Sequence, residues 1–165
     1  MSQYDLLFRG HIVNGKYPVA DAFATTGVSD RISLSNYGKI TFLIHTGVAT
    51  GGTANGVVTL NAFAAASGGS GTALAFKYRV CASSTTVDTW GALTDAASTG
   101  FAMTAGSNYL YTVEILADEV EAQAAGKKFV ELTVTENSND PVVAGIVAFL
   151  SDARYPQAVP VSAIA

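Results

Sequence analysis

The sequence predicts an all-β protein: a β-sandwich or jelly-roll-like domain of about seven or eight strands with at most one short helix. Three observations lead there. Apolar and polar residues alternate over seven or eight positions in several runs, most clearly at 109–115 and 129–136, which is the mark of a strand with one buried face. These runs are rich in β-branched and aromatic side chains and are separated by Gly, Ser and Asn turns. Only 116–126 has a helical composition. The chain has 165 residues, the size of one domain. A domain of that length buries about two-thirds of its unfolded surface and needs no disulfide or metal to hold it.

Taken in order, residues 1–16 are an N-terminal arm or edge strand. In them Leu6, Phe8 and Ile12 lie along an edge and Asn14-Gly15 makes a turn. Residues 17–156 form the single sandwich domain, and 157–165 a C-terminal tail. Residues 17–26, with Pro18 and several alanines, read as a loop. Arg31 to Leu34 opens the regular part and 35–38 turns. In 39–45, Ile40, Phe42 and Ile44 face inward, while Leu43 shares the other face with Lys39, Thr41 and His45. A Gly/Thr loop at 47–55 leads to a strand at 56–63. The segment 64–72, containing Ser67-Gly-Gly-Ser-Gly71, reads as a flexible tip. In 74–82, Phe76, Tyr78 and Val80 alternate with Lys77, Arg79 and Cys81. A polar stretch at 83–98 surrounds Trp90 and Leu93, and a short strand fits 99–104.

In 109–115, Tyr109, Tyr111, Val113 and Ile115 share a face; in 129–136, Val130, Leu132 and Val134 do. Strands so close in sequence are expected to pair as neighbours, with a helix of about two turns between them, a length that is marginal without tertiary contacts. Residues 137–141 form a turn. The near-continuous apolar run 142–150 predicts a strand covered on both faces. Pro156 and Pro160 make the end irregular.

Composition narrows the function. Charged residues are 13% of the chain, against about 25% in typical soluble domains, and mean hydropathy is +0.32. A surface so poor in charge is expected where a partner covers much of it. No apolar run approaches the ~20 residues that span a bilayer, so no membrane association is expected. Net charge is −4 and the basic residues cluster only at Lys127-Lys128, which argues against nucleic acid. The single cysteine, Cys81, precludes an intramolecular disulfide. The first residues carry no basic n-region followed by an apolar stretch, so the expectation is synthesis in a reducing cytoplasm.

No reactive constellation is legible. His11 and His45 are the only histidines, too few to build a metal site. No motif joins Cys81 to His45 as a nucleophilic pair. Asp118, Glu119 and Glu121 lack the spacing of a calcium loop and read as a solvated acidic cluster. Gly51-Gly52 and Gly68-Gly69 lack the Gly-Lys-Ser/Thr continuation of a phosphate loop. The expectation is therefore no enzyme, no cofactor and no metal. Tyr109 and Tyr111 read as core, and Trp90 as a core anchor or a ligand platform.

Three stretches carry a resemblance: Arg31 through His45 (RISLSNYGKITFLIH), Gly126 through Glu136 (GKKFVELTVTE), and Ala148 through Pro156 (AFLSDARYP). They resemble small structural proteins of tailed bacteriophages, and more closely the capsid decoration, or cement, proteins. The resemblance implies a β-sandwich or jelly-roll protein made in the bacterial host cytoplasm. It would bind the outside of an assembled head, with the major capsid protein as partner, commonly as a homotrimer. By pattern, the contacts would fall on the arm, at Tyr4, Leu6 and Phe8, and on the tail, at Arg154 and Tyr155. A phage tail or baseplate β module and a carbohydrate-binding jelly roll are the other readings.

Overall fold

A strand that alternates apolar and polar residues buries one face only, so it needs a second sheet to cover that face. The computed structural model, which describes residues 10–50, 56–81, 88–137, 141–155 and 160–164, meets that need with two antiparallel sheets. In chain order the strands are β1 (Gly10–Val19), β2 (Thr26–Val28), β3 (Ile32–Ser33), β4 (Tyr37–Ala49), β5 (Val57–Phe63) and β6 (Thr72–Leu74). They continue with β7 (Phe76–Cys81), β8 (Thr94–Ala96), β9 (Phe101–Ala102), β10 (Leu110–Leu116), β11 (Phe129–Thr135) and β12 (Val142–Ala153). One helix, α1 (Ala117–Gln123), joins β10 to β11. The first sheet has the order β1-β12-β4-β10-β7-β8; the second has β2-β11-β5-β6, with β3 also on β11 and β9 also on β5. The fold is thus the all-β sandwich the sequence predicts. The strands exceed seven or eight because β2, β3, β6, β8 and β9 are two or three residues long, too short for alternation to show.

The core forms where the inner faces meet. Ile40, Phe42, Ile44, Val58, Leu60, Val113, Val130, Leu132, Val134 and Ile146 are all fully buried. Aromatic contacts tie the sheets together: Phe101 on β9 stacks on Tyr78 at 3.9 Å and meets Phe76 edge-on at 6.1 Å and Tyr111 at 6.0 Å. The buried Thr46 hydroxyl accepts from the Tyr109 N–H at 2.9 Å and lies 3.0 Å from its carbonyl. The hydroxyl gives the Tyr109 N–H its partner, while the Tyr109 carbonyl also accepts the Thr46 N–H at 2.9 Å.

The structure corrects several sequence expectations. Strands β10 and β11 are not neighbours. In the first sheet β10 lies between β4 and β7, with Val113 opposite Phe42 and Tyr78. In the second sheet β11 pairs with β5, with Leu132 opposite Leu60. The reason is α1, which carries the chain from one sheet to the other. It tucks Val120 inside and leaves Ala124 buried behind it. The Glu119 carboxylate accepts the Leu116 N–H at 3.0 Å, half of a capping box. The Gln123 side chain accepts from the Ala75 N–H at 2.7 Å and donates to the Ala75 carbonyl at 3.0 Å. The expected loop at 17–26 begins late, because β1 runs to Val19. Pro18 is tolerated there because β1 is an edge strand and one side of it needs no donor.

The run 142–150 is a strand, but its second face is only partly covered: Gly145 and Phe149 are half-buried, while Val143 and Val147 are 43% and 39% exposed. The tip at 67–71 is held rather than loose. Arg31 Nη1 donates to the Gly68 carbonyl at 2.6 Å, its guanidinium lies 3.5 Å from the Phe63 ring centroid, and its Nε pairs with Glu131 at 3.0 Å. Lys127 Nζ donates to the Ser70 carbonyl at 2.9 Å and to Thr72 Oγ1 at 2.6 Å. The far end of the chain also returns: Ile164 bridges to Ile32, and the Ser33 N–H donates to the Ala163 carbonyl at 2.9 Å.

Two outcomes follow. Arg31→Ala removes the ion pair and the ring contact together, and should cost about 1–3 kcal/mol in urea unfolding and expose 67–71 to protease. The second concerns Tyr111. Burial pushes its phenol up to about 12, above the ~10 of an exposed tyrosine. The folded chain therefore keeps a proton that the unfolded chain releases. This contribution is intact below about pH 10 and is lost as pH rises toward 12. Tyr111→Phe should flatten the fall of Tm over that window, with Tyr37, also raised by burial, accounting for part of what remains.

Candidate functional site

Ladder register fixes which side chains stand side by side on the outer face of the first sheet. One row is Ile12, Phe149, Thr41, Glu114 and Lys77, and the next is Asn14, Val147, Leu43, Thr112 and Arg79. Only β12 is apolar in both rows, through Phe149 and Val147; β1 and β4 each give one apolar residue, Ile12 and Leu43, and one polar, Asn14 and Thr41, and β10 and β7 are polar throughout. Lys39 of β4 pairs with Glu114 of β10, and Lys77 of β7 with Asp95 of β8. The Asp95 hydrogen bond holds Lys77 above the usual lysine range.

Beyond the second row both flanking strands bulge around β12. Between Thr46 and Ala49, β4 takes three steps to β12's two, so Gly47 and Val48 both stand opposite Val143. Between Lys16 and Val19, β1 does the same, so Tyr17 and Pro18 stand opposite Gly145. Bulges re-aim side chains, and here they crowd apolar ones onto a face that alternation would have kept polar.

The result is a groove of about 300 Å³ lined by Pro18, Leu43, His45, Val143, Gly145 and Val147. Gly145 is its floor. A Cβ there would lie 3.0 Å from Pro18 Cγ, so a larger residue would push the β1 edge outward. Val48, opposite Val143, and Tyr17, opposite Gly145, are 65% and 68% exposed. The outer face of the second sheet is different. There Glu131, Thr133 and Thr135 of β11 stand opposite Asn61, Thr59 and Val57 of β5, an ordinary solvated face.

Of the residues expected to make contacts, Tyr4, Leu6 and Phe8 lie outside the described residues. Arg154 and Tyr155 follow β12 and are exposed; the Arg154 N–H donates to the Asn36 carbonyl at 2.9 Å. Arg154 also borders a mixed-charge depression of about 420 Å³ with Asp118, Glu121, Lys127 and Lys128. Gly10, where β1 starts, pairs with Ser151.

The titratable residues are scattered. His45 lines the groove, while His11 lies 3.3 Å from the Tyr37 hydroxyl. Among the described residues no three of His, Cys, Asp and Glu come together to hold a metal. Trp90 is 38% exposed and bridges to Cys81, so it is not a core anchor.

The groove residues escaped the sequence reading. Their signal was present, as the apolar run 142–150, but an apolar run reads alike whether its second face is covered by the same chain or left open. No protein-family model, characterised protein or solved structure matches the chain.

Proposed function

We propose that this chain is a structural virion protein that binds the outside of an assembled phage capsid and stabilises it, as decoration proteins do. The observation that carries this reading is the group of exposed apolar residues along and beside β12, Val143 and Val147 with Val48 and Tyr17, in a chain of which only 13% is charged. Such a surface has a cost in water and is retained where a partner removes it from water. The resemblance in 31–45, 126–136 and 148–156 supplies the kind of partner, the major capsid protein. The reading needs no chemistry and assigns none; the protein is not an enzyme on this proposal.

The mechanism is linkage. A protein that binds the assembled lattice but not free subunits adds its binding free energy to the assembled state alone. Many copies on one head multiply modest individual contacts. Arg154 and Tyr155, which follow β12, and the N-terminal Tyr4, Leu6 and Phe8 are the second proposed contact.

Co-sedimentation with purified heads tests this. Saturable binding to heads, and a higher temperature for head disruption once bound, are the expected results. A chain that ignores heads but is retained on glycan resins would replace this reading with the carbohydrate-binding one. Removing residues 1–9, which leaves β1 intact, together with Arg154→Ala, should weaken head binding by about tenfold or more, the weight of one or two interface anchors.

A further inference from the structure

We infer that the capsid segment seated on this face is acidic: an apolar stretch that carries carboxylates. The inference rests on the reading of the face as a head-binding surface, and it names the chemistry of what binds there.

The uncompensated charges on the outer face of the first sheet are positive. Its carboxylates, Glu114 and Asp95, are paired with Lys39 and Lys77. Glu119, beside that end of the face, accepts the Leu116 N–H. Two cations are left over. Lys16 lines the groove, whose lining includes His45 and no carboxylate, and it makes no ion pair among the described residues. Arg79, in the row that holds Val147 and Leu43, donates to the Gly91 carbonyl at 2.9 Å and likewise meets no carboxylate among the described residues.

These two cations flank the apolar residues. In the order β1-β12-β4-β10-β7, Lys16 stands on the first strand and Arg79 on the last, a span on the order of 19 Å at ~4.8 Å per strand. A partner segment of that reach can lay apolar side chains over Val143, Val147 and Leu43 and set a carboxylate against each cation.

Covering the groove takes Lys16 out of water. An ammonium group so covered needs a counter-charge to replace its hydration. A neutral apolar partner supplies none, and a second copy would bring another Lys16. Two cations on opposite sides of an apolar groove also do not form the continuous patch that follows a phosphate backbone, so nucleic acid does not fit. Carboxylates on an apolar segment do. The chain as a whole carries −4, so an acidic partner repels it except where positive charge is uncompensated. The same cations that hold the partner therefore select which face meets it.

Carbodiimide treatment of the full-length chain bound to purified heads tests the inference. The reagent joins an amine to a carboxylate only where the two touch. Mass spectrometry should find Lys16 linked to an aspartate or glutamate of the major capsid protein. Head binding should weaken as salt rises from about 50 to 300 mM, over which the screening length falls by about half. Lys16→Glu and Arg79→Glu should each lower affinity by about tenfold or more, with unchanged circular dichroism and Tm. Thr133→Glu, on the outer face of the other sheet, should leave binding unchanged. The cross-link and the salt dependence are read on the unaltered chain, so they decide the matter even if a variant misfolds.

Cross-links from other lysines with none from Lys16 overturn the inference, as does a link from Lys16 to a second copy of this chain. Folded Lys16→Glu that binds heads with wild-type affinity overturns it and leaves the capsid reading standing. If Val147→Asp then abolishes that binding, the face is a neutral contact. A chain that ignores heads altogether overturns the capsid reading, and this inference with it.

Discussion

Two sheets facing one another hide one face of each and no more. The whole chain is arranged around that constraint. It moves between the sheets at most of its connections, so that each long strand brings its apolar set to the shared interior. Phe42, Val113 and Ile146 reach it from one side, and Leu60, Leu132 and Val134 from the other. The stacking of Phe101 from β9 against Tyr78 of β7 brings the two layers together through a strand too short to hold itself in place.

The same constraint leaves two outer faces, and the chain treats them differently. That of the second sheet is ordinary, with threonines, Glu131 and the Arg31 stack on Phe63. That of the first is polar over β10 and β7, apolar along β12, and mixed over β1 and β4, where Ile12 and Leu43 stand beside Asn14 and Thr41. An edge strand with an apolar flank is a hazard for uncontrolled association. The bulges and Pro18 interrupt regular pairing along the second half of β1, which discourages strand addition there. They leave the apolar face itself open, so contact through the face is preserved while ladder extension is hindered.

Polar side chains set the connections that the core does not. Arg31 and Lys127 hold the glycine-rich tip from two sides. Gln123 ties the helix to the start of β7, and Thr46 holds Tyr109 at the point where the chain enters β10. Each of these contacts joins residues 37 or more positions apart. None has a local signature, which is why the tip read as loose.

What the sequence by itself determined is the class of fold and the inward set of side chains. Alternation at 39–45, 109–115 and 129–136 is a property of the backbone's period of two and needs no knowledge of neighbours. The two-turn helix at 117–123 was legible for a similar reason, its local composition. Only the tertiary structure decided which strands pair. Adjacency in sequence favours β10 with β11, but a helix across the open end costs little and lets each strand bury its face from the opposite side. Tertiary structure also decided that Val143 and Val147 face outward uncovered. A run of apolar residues records that water is to be excluded from both faces of a strand; it does not record whether the same chain or another one excludes it.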